Sequence, residues 1–175
     1  ALERGLAEEK EPEPVEVGLE LSAPLEQHRG SFVTLRRSGE LRGCIGELRA
    51  ARPLYRSVMA LAVSAATRDH RFDPVTLDEL DLVDIHVSVL TAPRPVASWE
   101  DIELGRHGIV MQQEGRSATF LPQVAPEQGW DLETTLSRLC LKAGLHPDSW
   151  RKDARFLVFE AEVFGEHDLG RASRS

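Results

Sequence analysis

The sequence predicts an α+β protein: antiparallel sheets with packed helices, arranged in two lobes as a ββαβ duplication. Three observations predict it. Short alternating runs come in pairs joined by glycine-containing turns, the pattern of hairpins. Each pair is followed by apolar residues at helical spacing and then by one more alternating run. The whole order recurs at an offset of roughly 75 residues.

Taken in order, residues 1–10 read as the end of a helix, and "KEPEPVEV" as an acidic connector whose prolines stop helix continuation. Residues 1–29 are therefore set apart from a domain over 30–164, with halves at about 30–92 and 105–164. "SFVTLRR" alternates, "SGE" turns the chain and "LRGCIGEL" returns. Pro53 opens "PLYRSVMALAVSAATRD", where Leu54, Val58, Leu61, Ala62 and Ala65 form one face of a helix. Thr76 and Glu79 have capping-box spacing, and "LVDIHVSVLT" puts Val83, Ile85, Val87 and Val89 on one side of a strand. In the second half, "HGIVMQQ", a turn at Glu114–Gly115 and "RSATFLP" make the hairpin. A helix follows from about Leu132 to Ala143 between Asp131 and Gly144, and then "RFLVFEAEVF" forms a last strand. Residues 165–175 are small and polar and read as a flexible tail.

With 175 residues, 41% of them hydrophobic, the chain can bury a core without disulfides or a structural metal. Cys44 and Cys140 are far apart and fall in no zinc-ligand spacing, so no metal is expected and a reducing cytoplasm fits. The longest weakly polar run, "VMALAVSAA", is short of the ~20 residues that span a bilayer. No basic-then-apolar leader opens the chain, so an unexported protein without a membrane partner is expected. The net charge of −8 is concentrated at the start, where residues 1–26 hold eight acids against two bases. Residues 36–56 carry six arginines against Glu40 and Glu47, a basic patch suited to a small anionic ligand or an acidic protein. An acidic chain without aromatics among those arginines speaks against nucleic acid.

In "LRGCIGEL" strict alternation would put Leu41, Gly43 and Ile45 on one face and Arg42, Cys44 and Gly46 on the other. A guanidinium beside a thiol favours the thiolate, so Arg42 and Cys44 together suit a nucleophile, while a buried apolar cysteine is the structural alternative. Gly43 and Gly46 suit a bulge, or a place where backbone or ligand comes too close for a side chain. Among six histidines, His107 in "GRHG" is the first candidate for a proton acceptor. His86 alternates with Asp84 and Ser88, away from the valines. Asp69 and Arg71, past the helix end, either brace their loop or offer a guanidinium to an anion. Cys140 lies on the apolar stripe of its helix as core filler, and "FLPQVAPEQGWDLE" reads as a rigid loop that walls a pocket. No phosphate-binding glycine loop, dinucleotide fingerprint or serine-hydrolase elbow occurs, and no cofactor is expected.

The blocks "GSFVTLRRSGELRGCIGEL", "AATRDHRFDPVTLDELDLVDIHVSVLT", "GRHGIVM" and "FLPQVAPEQGWDLETTL" resemble the AMMECR domain family, whose prokaryotic members are called AmmeMemoRadiSam system protein A. The resemblance spans about Gly30 to Phe164 and implies a two-lobed α+β fold with a cleft near the LRGCIG hairpin. By match to the motifs it carries over Arg42, Gly43, Cys44, Ile45 and Gly46, then Asp69, Arg71 and Phe72, then His107 and Gly108. It brings no settled activity, although the family's name implies association with Memo-type and radical-SAM-type proteins. The resemblance also implies that His86 and His70 stand at positions where the family pattern varies, which argues against both as essential chemistry and leaves Cys44 and His107 as the pair to test. Two functional classes follow. One is an enzyme or enzyme subunit of a small metabolic or modification pathway, using Cys44 with His107. The other is a non-catalytic binding module for an acidic protein or small anion.

Overall fold

The structure, a computed structural model, describes residues 21–166. The predicted helix end, the acidic connector and the tail from residue 167 lie outside the described residues. In chain order the elements are α1 (Ala23–Glu26), β1 (Ser31–Arg37), β2 (Glu40–Glu47), α2 (Leu54–Thr67), β3 (Val83–Leu90), β4 (Arg94–Pro95), β5 (Gly108–Gln113) and β6 (Arg116–Phe120). Then come α3 (Val124–Gln128), α4 (Leu132–Lys142), β7 (Arg155–Phe159) and β8 (Ala161–Gly165). This is the expected α+β class, and the described residues fall in two compact units, 21–90 with 162–166, and 91–161.

In the first unit the sheet order is β2-β1-β3-β8. Ser38 (φ 52°) and Gly39 (φ 83°) both take left-handed backbone, the two-residue turn whose twist matches antiparallel strands. One face of the sheet carries Val33 and Leu35, fully buried against Leu61, Ala62, Ala65 and Ala66 of α2. The helix uses small residues there, so its backbone comes close to the sheet. A Cβ on Gly43 would sit 2.2 Å from the carbonyl oxygen of Ala65, which is why β2 spends a glycine at that point. After α2, Val75 donates its N–H to Ala66 O and joins the same core. Thr76 then opens the 3₁₀ turn Leu77–Leu82, its N–H donating to the Glu79 carboxylate at 3.1 Å.

In the second unit the sheet order is β4-β7-β5-β6. Glu114 (φ 52°) and Gly115 (φ 74°) repeat the left-handed turn. Asp131 caps α4 by accepting from Thr134 N–H at 2.8 Å, and α4 packs Leu136, Leu139 and Cys140 on Ile109, Met111, Phe156 and Val158. Cys140 is core, with Sγ 3.4 Å from Met111 Sδ, and burial pushes its pKa up.

The duplication extends to strand order: β2-β1-β3 matches β6-β5-β7, with one further strand beside β3 and beside β7. Those further strands are exchanged. The segment after β3 supplies β4 to the second sheet, and the segment after β7 supplies β8 to the first. The expected single last strand over 155–164 is therefore two strands broken at Glu160, where Thr91 N–H donates to Glu160 O and Glu160 N–H to Thr91 Oγ1, both at 2.9 Å. The expected loop of "FLPQVAPEQGWDLE" contains α3, closed by Gly129 in left-handed backbone, and Trp130 lies against Phe120 with ring centroids 5.9 Å apart.

Candidate functional site

The β1–β2 ladder pairs Leu35 with Gly43 but Arg36 with Leu41, which leaves Arg42 as an extra residue in a bulge. A bulge interrupts the alternation of faces, and this corrects the expectation that Arg42 and Cys44 project together. Arg42 reaches the segment that follows α2. Its Nη1 donates to Asp73 O (2.7 Å), its Nη2 to Pro74 O (3.3 Å) and to Glu79 Oε2 (3.0 Å). Arg37 donates to the other oxygen of Glu79 at 2.8 Å, and Arg42 above all holds the Glu79 carboxyl down at about 2. The Arg42 guanidinium is thereby committed to bracing the bulge.

β2 is an outer strand, and Leu90 N–H donating to Gly30 O fixes the ladder so that Cys44 turns its own N–H and C=O away from β1. The loop after α2 meets them. Asp69 Oδ2 accepts the Cys44 N–H at 2.8 Å, and Arg71 Nη2 lies 3.5 Å from Cys44 O. Arg71 also grips Asp69 twice, Nε to Oδ1 at 2.9 Å and Nη2 to Oδ2 at 2.6 Å. The Asp69 side chain is 7% exposed and that of Arg71 57%. The Arg71 bonds, with the Cys44 N–H adding to them against the cost of burial, hold the Asp69 carboxyl at about 2. Asp69 in turn raises the pKa of Arg71 against the opposing cost of burial. The guanidinium that reaches Cys44 is that of Arg71, at the backbone oxygen.

Arg71 stacks over Phe72 at 5.4 Å, and with Arg42, His70 and Asp73 these residues line a shallow bowl of about 480 Å³. The bowl gathers Arg42, Arg71 and Phe72 from the residues singled out in the sequence, with Asp69 behind them. Gly43 lies under α2, Ile45 packs at the core, and Gly46 lies beneath the ring of Phe32, which a Cβ would meet at 2.1 Å. Cys44 is half-buried, its Sγ 3.3 Å from Thr34 Oγ1.

His107 and Gly108 belong to the second unit. His107 is buried, its Nδ1 accepting the Glu103 N–H at 3.0 Å and its Nε2 lying 3.4 Å from an Arg94 guanidinium nitrogen. That arrangement holds the 103–107 turn to β5, and Gly108 makes room for Phe159. Two residues of the first site were not singled out in the sequence as site residues: Glu79, whose spacing from Thr76 marked it only as a cap, and Thr34, which nothing local distinguishes. Among the described residues there is no cluster of metal-ligating side chains, and no helix long and apolar enough to cross a membrane.

The sequence matches the AMMECR1 family over residues 1–164. A protein of Methanosarcina barkeri is 45% identical over 172 residues, covering 95% of this chain and 85% of its own. One of Methanopyrus kandleri is 46% identical over 154 residues, covering 82% and 74%. The crystal structure of an uncharacterized protein from Pyrococcus horikoshii has a TM-score of 0.88 at 37% identity, covering 95% of this chain and 86% of that one.

Proposed function

Because the chain belongs to the AMMECR1 family, we propose that it acts as a cofactor-free cytoplasmic subunit of a small metabolic or modification pathway, alongside Memo-type and radical-SAM-type proteins. Its part is to hold an anionic group of a partner or small molecule at the Arg71 bowl. The observation that carries this reading is the clasp on β2: a buried Asp69 fixes a largely exposed guanidinium, so Arg71 meets an anion already oriented. Phe72 beneath it supplies an apolar floor. Binding of a fluorescent Glu-rich peptide to the full chain, followed by anisotropy, tests it. Arg71→Ala is expected to weaken binding roughly tenfold at low salt, with the gap closing as salt rises, while Cys44→Ser binds as wild type. Equal binding by Arg71→Ala and wild type would reject the bowl. Retention of Memo-type and radical-SAM-type proteins from the same organism on the purified chain tests the pathway assignment.

A second reading, an enzyme subunit with Cys44 as nucleophile, draws support from the free, half-buried Cys44 thiol on a residue whose backbone oxygen lies 3.5 Å from the Arg71 guanidinium.

A further inference from the structure

We propose that the second unit carries a binding site for a free aromatic amino acid, in a cavity where an aromatic wall meets two unpaired side chains of opposite charge, Asp153 and Arg155. The site lies wholly within residues 91–161, so it belongs to a different unit from the Arg71 bowl and does not rest on that reading.

The cavity arises because β4 is short. Its two residues pair with Val158 and Leu157 of β7, and one more bond follows, Val96 N–H to Phe156 O at 3.2 Å. The chain then turns off at Ser98, whose N–H donates to Asp101 Oδ2 at 3.0 Å and whose Oγ accepts the Glu100 N–H at 3.2 Å. The wedge left between 95–99 and 153–157 is a cavity of about 540 Å³, within the range of about 300–1,000 Å³ usual for small-molecule sites. Pro95, Trp99, Trp150 and Phe156 form its apolar wall, the two indoles packed edge to face with ring centroids 5.0 Å apart. Trp150 is buried, its Nε1 donating to Ser137 Oγ at 3.2 Å, whereas Trp99 is only half-buried and leaves part of its ring for a ligand. A wall of this kind favours a planar apolar group.

Three charged residues line the cavity. Arg151 is already committed: it donates to Glu133 Oε2 at 2.8 Å and stacks over the Trp150 ring at 4.0 Å. Asp153 and Arg155 are exposed and stand two residues apart, yet among the described residues neither makes a hydrogen bond or an ion pair. Ala154, between them, is also unanswered. Phe156 O faces β4, and by the alternation of an antiparallel strand the N–H and C=O of Ala154 face the same way, with no hydrogen bond to either among the described residues. An amino acid supplies the complement of each group: its ammonium to the Asp153 carboxylate, its carboxylate to the Arg155 guanidinium and its ring to Trp99. A single carbon joins ammonium to carboxylate, which matches two opposite charges that line one cavity without pairing. A ligand of one charge would leave the other side chain unanswered.

The test is isothermal titration calorimetry of the full chain with L-phenylalanine and two analogues, N-acetyl-L-phenylalanine, which lacks the ammonium, and L-phenylalaninamide, which lacks the carboxylate. L-Phenylalanine is expected to bind saturably, and each analogue about tenfold more weakly. Asp153→Asn, which puts another residue at ease in the left-handed backbone of this position (φ 52°), is expected to weaken L-phenylalanine about tenfold and leave N-acetyl-L-phenylalanine unaffected. Arg155→Gln is expected to weaken L-phenylalanine to the same degree and leave L-phenylalaninamide unaffected. Urea midpoints of both variants equal to wild type show that they fold, and Arg71→Ala is expected to bind L-phenylalanine as wild type does. Absence of saturable L-phenylalanine binding by the wild type overturns the site. Binding of N-acetyl-L-phenylalanine as tight as that of L-phenylalanine, or unchanged L-phenylalanine binding by either charge variant, overturns the amino acid as its ligand. Loss of L-phenylalanine binding in Arg71→Ala overturns its placement in the second unit. Peptide binding at the Arg71 bowl stands or falls separately, by its own measurement.

Discussion

Asp69 ties three things together: the outer backbone of β2, the orientation of Arg71 and the acid stability of the first unit. Its carboxyl is held at about 2, against 3.8 in an unstructured chain, first by Arg71 and then by the Cys44 N–H. A carboxyl lowered by folding contributes stability in full above its unfolded value, and loses it as pH falls through the folded one. The stability tied to Asp69 is therefore complete above about pH 4 and drains away toward pH 2. Urea midpoints of Asp69→Asn should lie below wild type at pH 5 and close on it by pH 2; a constant gap at all three of pH 5, 3.5 and 2 would show that the charge is not what matters. Asp69 and Arg71 were legible in the sequence as a charged pair just past a helix end. The direction of Arg42 was not, because one extra residue in a strand reverses which face follows, and register is a property of the paired strands.

At the scale of elements, the two hairpins were the most legible feature, since a small polar or acidic residue followed by glycine between alternating runs has few other uses. Gly39 and Gly115 both sit at positive φ with no atom within 4 Å of an added Cβ, so alanine there meets backbone strain and nothing else. Gly39→Ala and Gly115→Ala should each cost about 1 kcal/mol in urea unfolding, and a neutral result at either would mean that its turn relaxes to another geometry. Gly43 is the reverse case, with ordinary backbone and no room beneath Ala65 O. Less legible was the break at Glu160. "RFLVFEAEVF" alternates well enough to read as one strand, and only the pairing of Glu160 with Thr91, nearly seventy residues away, divides it.

At the scale of the molecule, the repeated order of elements was legible as a periodicity of hydrophobic patterns, but the exchange of β4 and β8 was not, because pattern gives strands and not partners. Its consequence is that neither ββαβ half completes its own sheet. A chain ending at Glu160 should lose β8 and leave the outer backbone of β3 unpaired, with a lower urea midpoint and self-association by sedimentation. A monodisperse truncated chain of unchanged stability would show β8 to be dispensable. The strands at the far side of each sheet are treated differently. Asp69 and Arg71, just past the end of α2, sit on the backbone of Cys44, and Lys142, in the last turn of α4, donates to Thr119 O at 2.8 Å. Each of these polar latches occupies the place where a stray strand from another copy would begin to stack, so a protein with so much extended chain carries its own terminators against fibre growth.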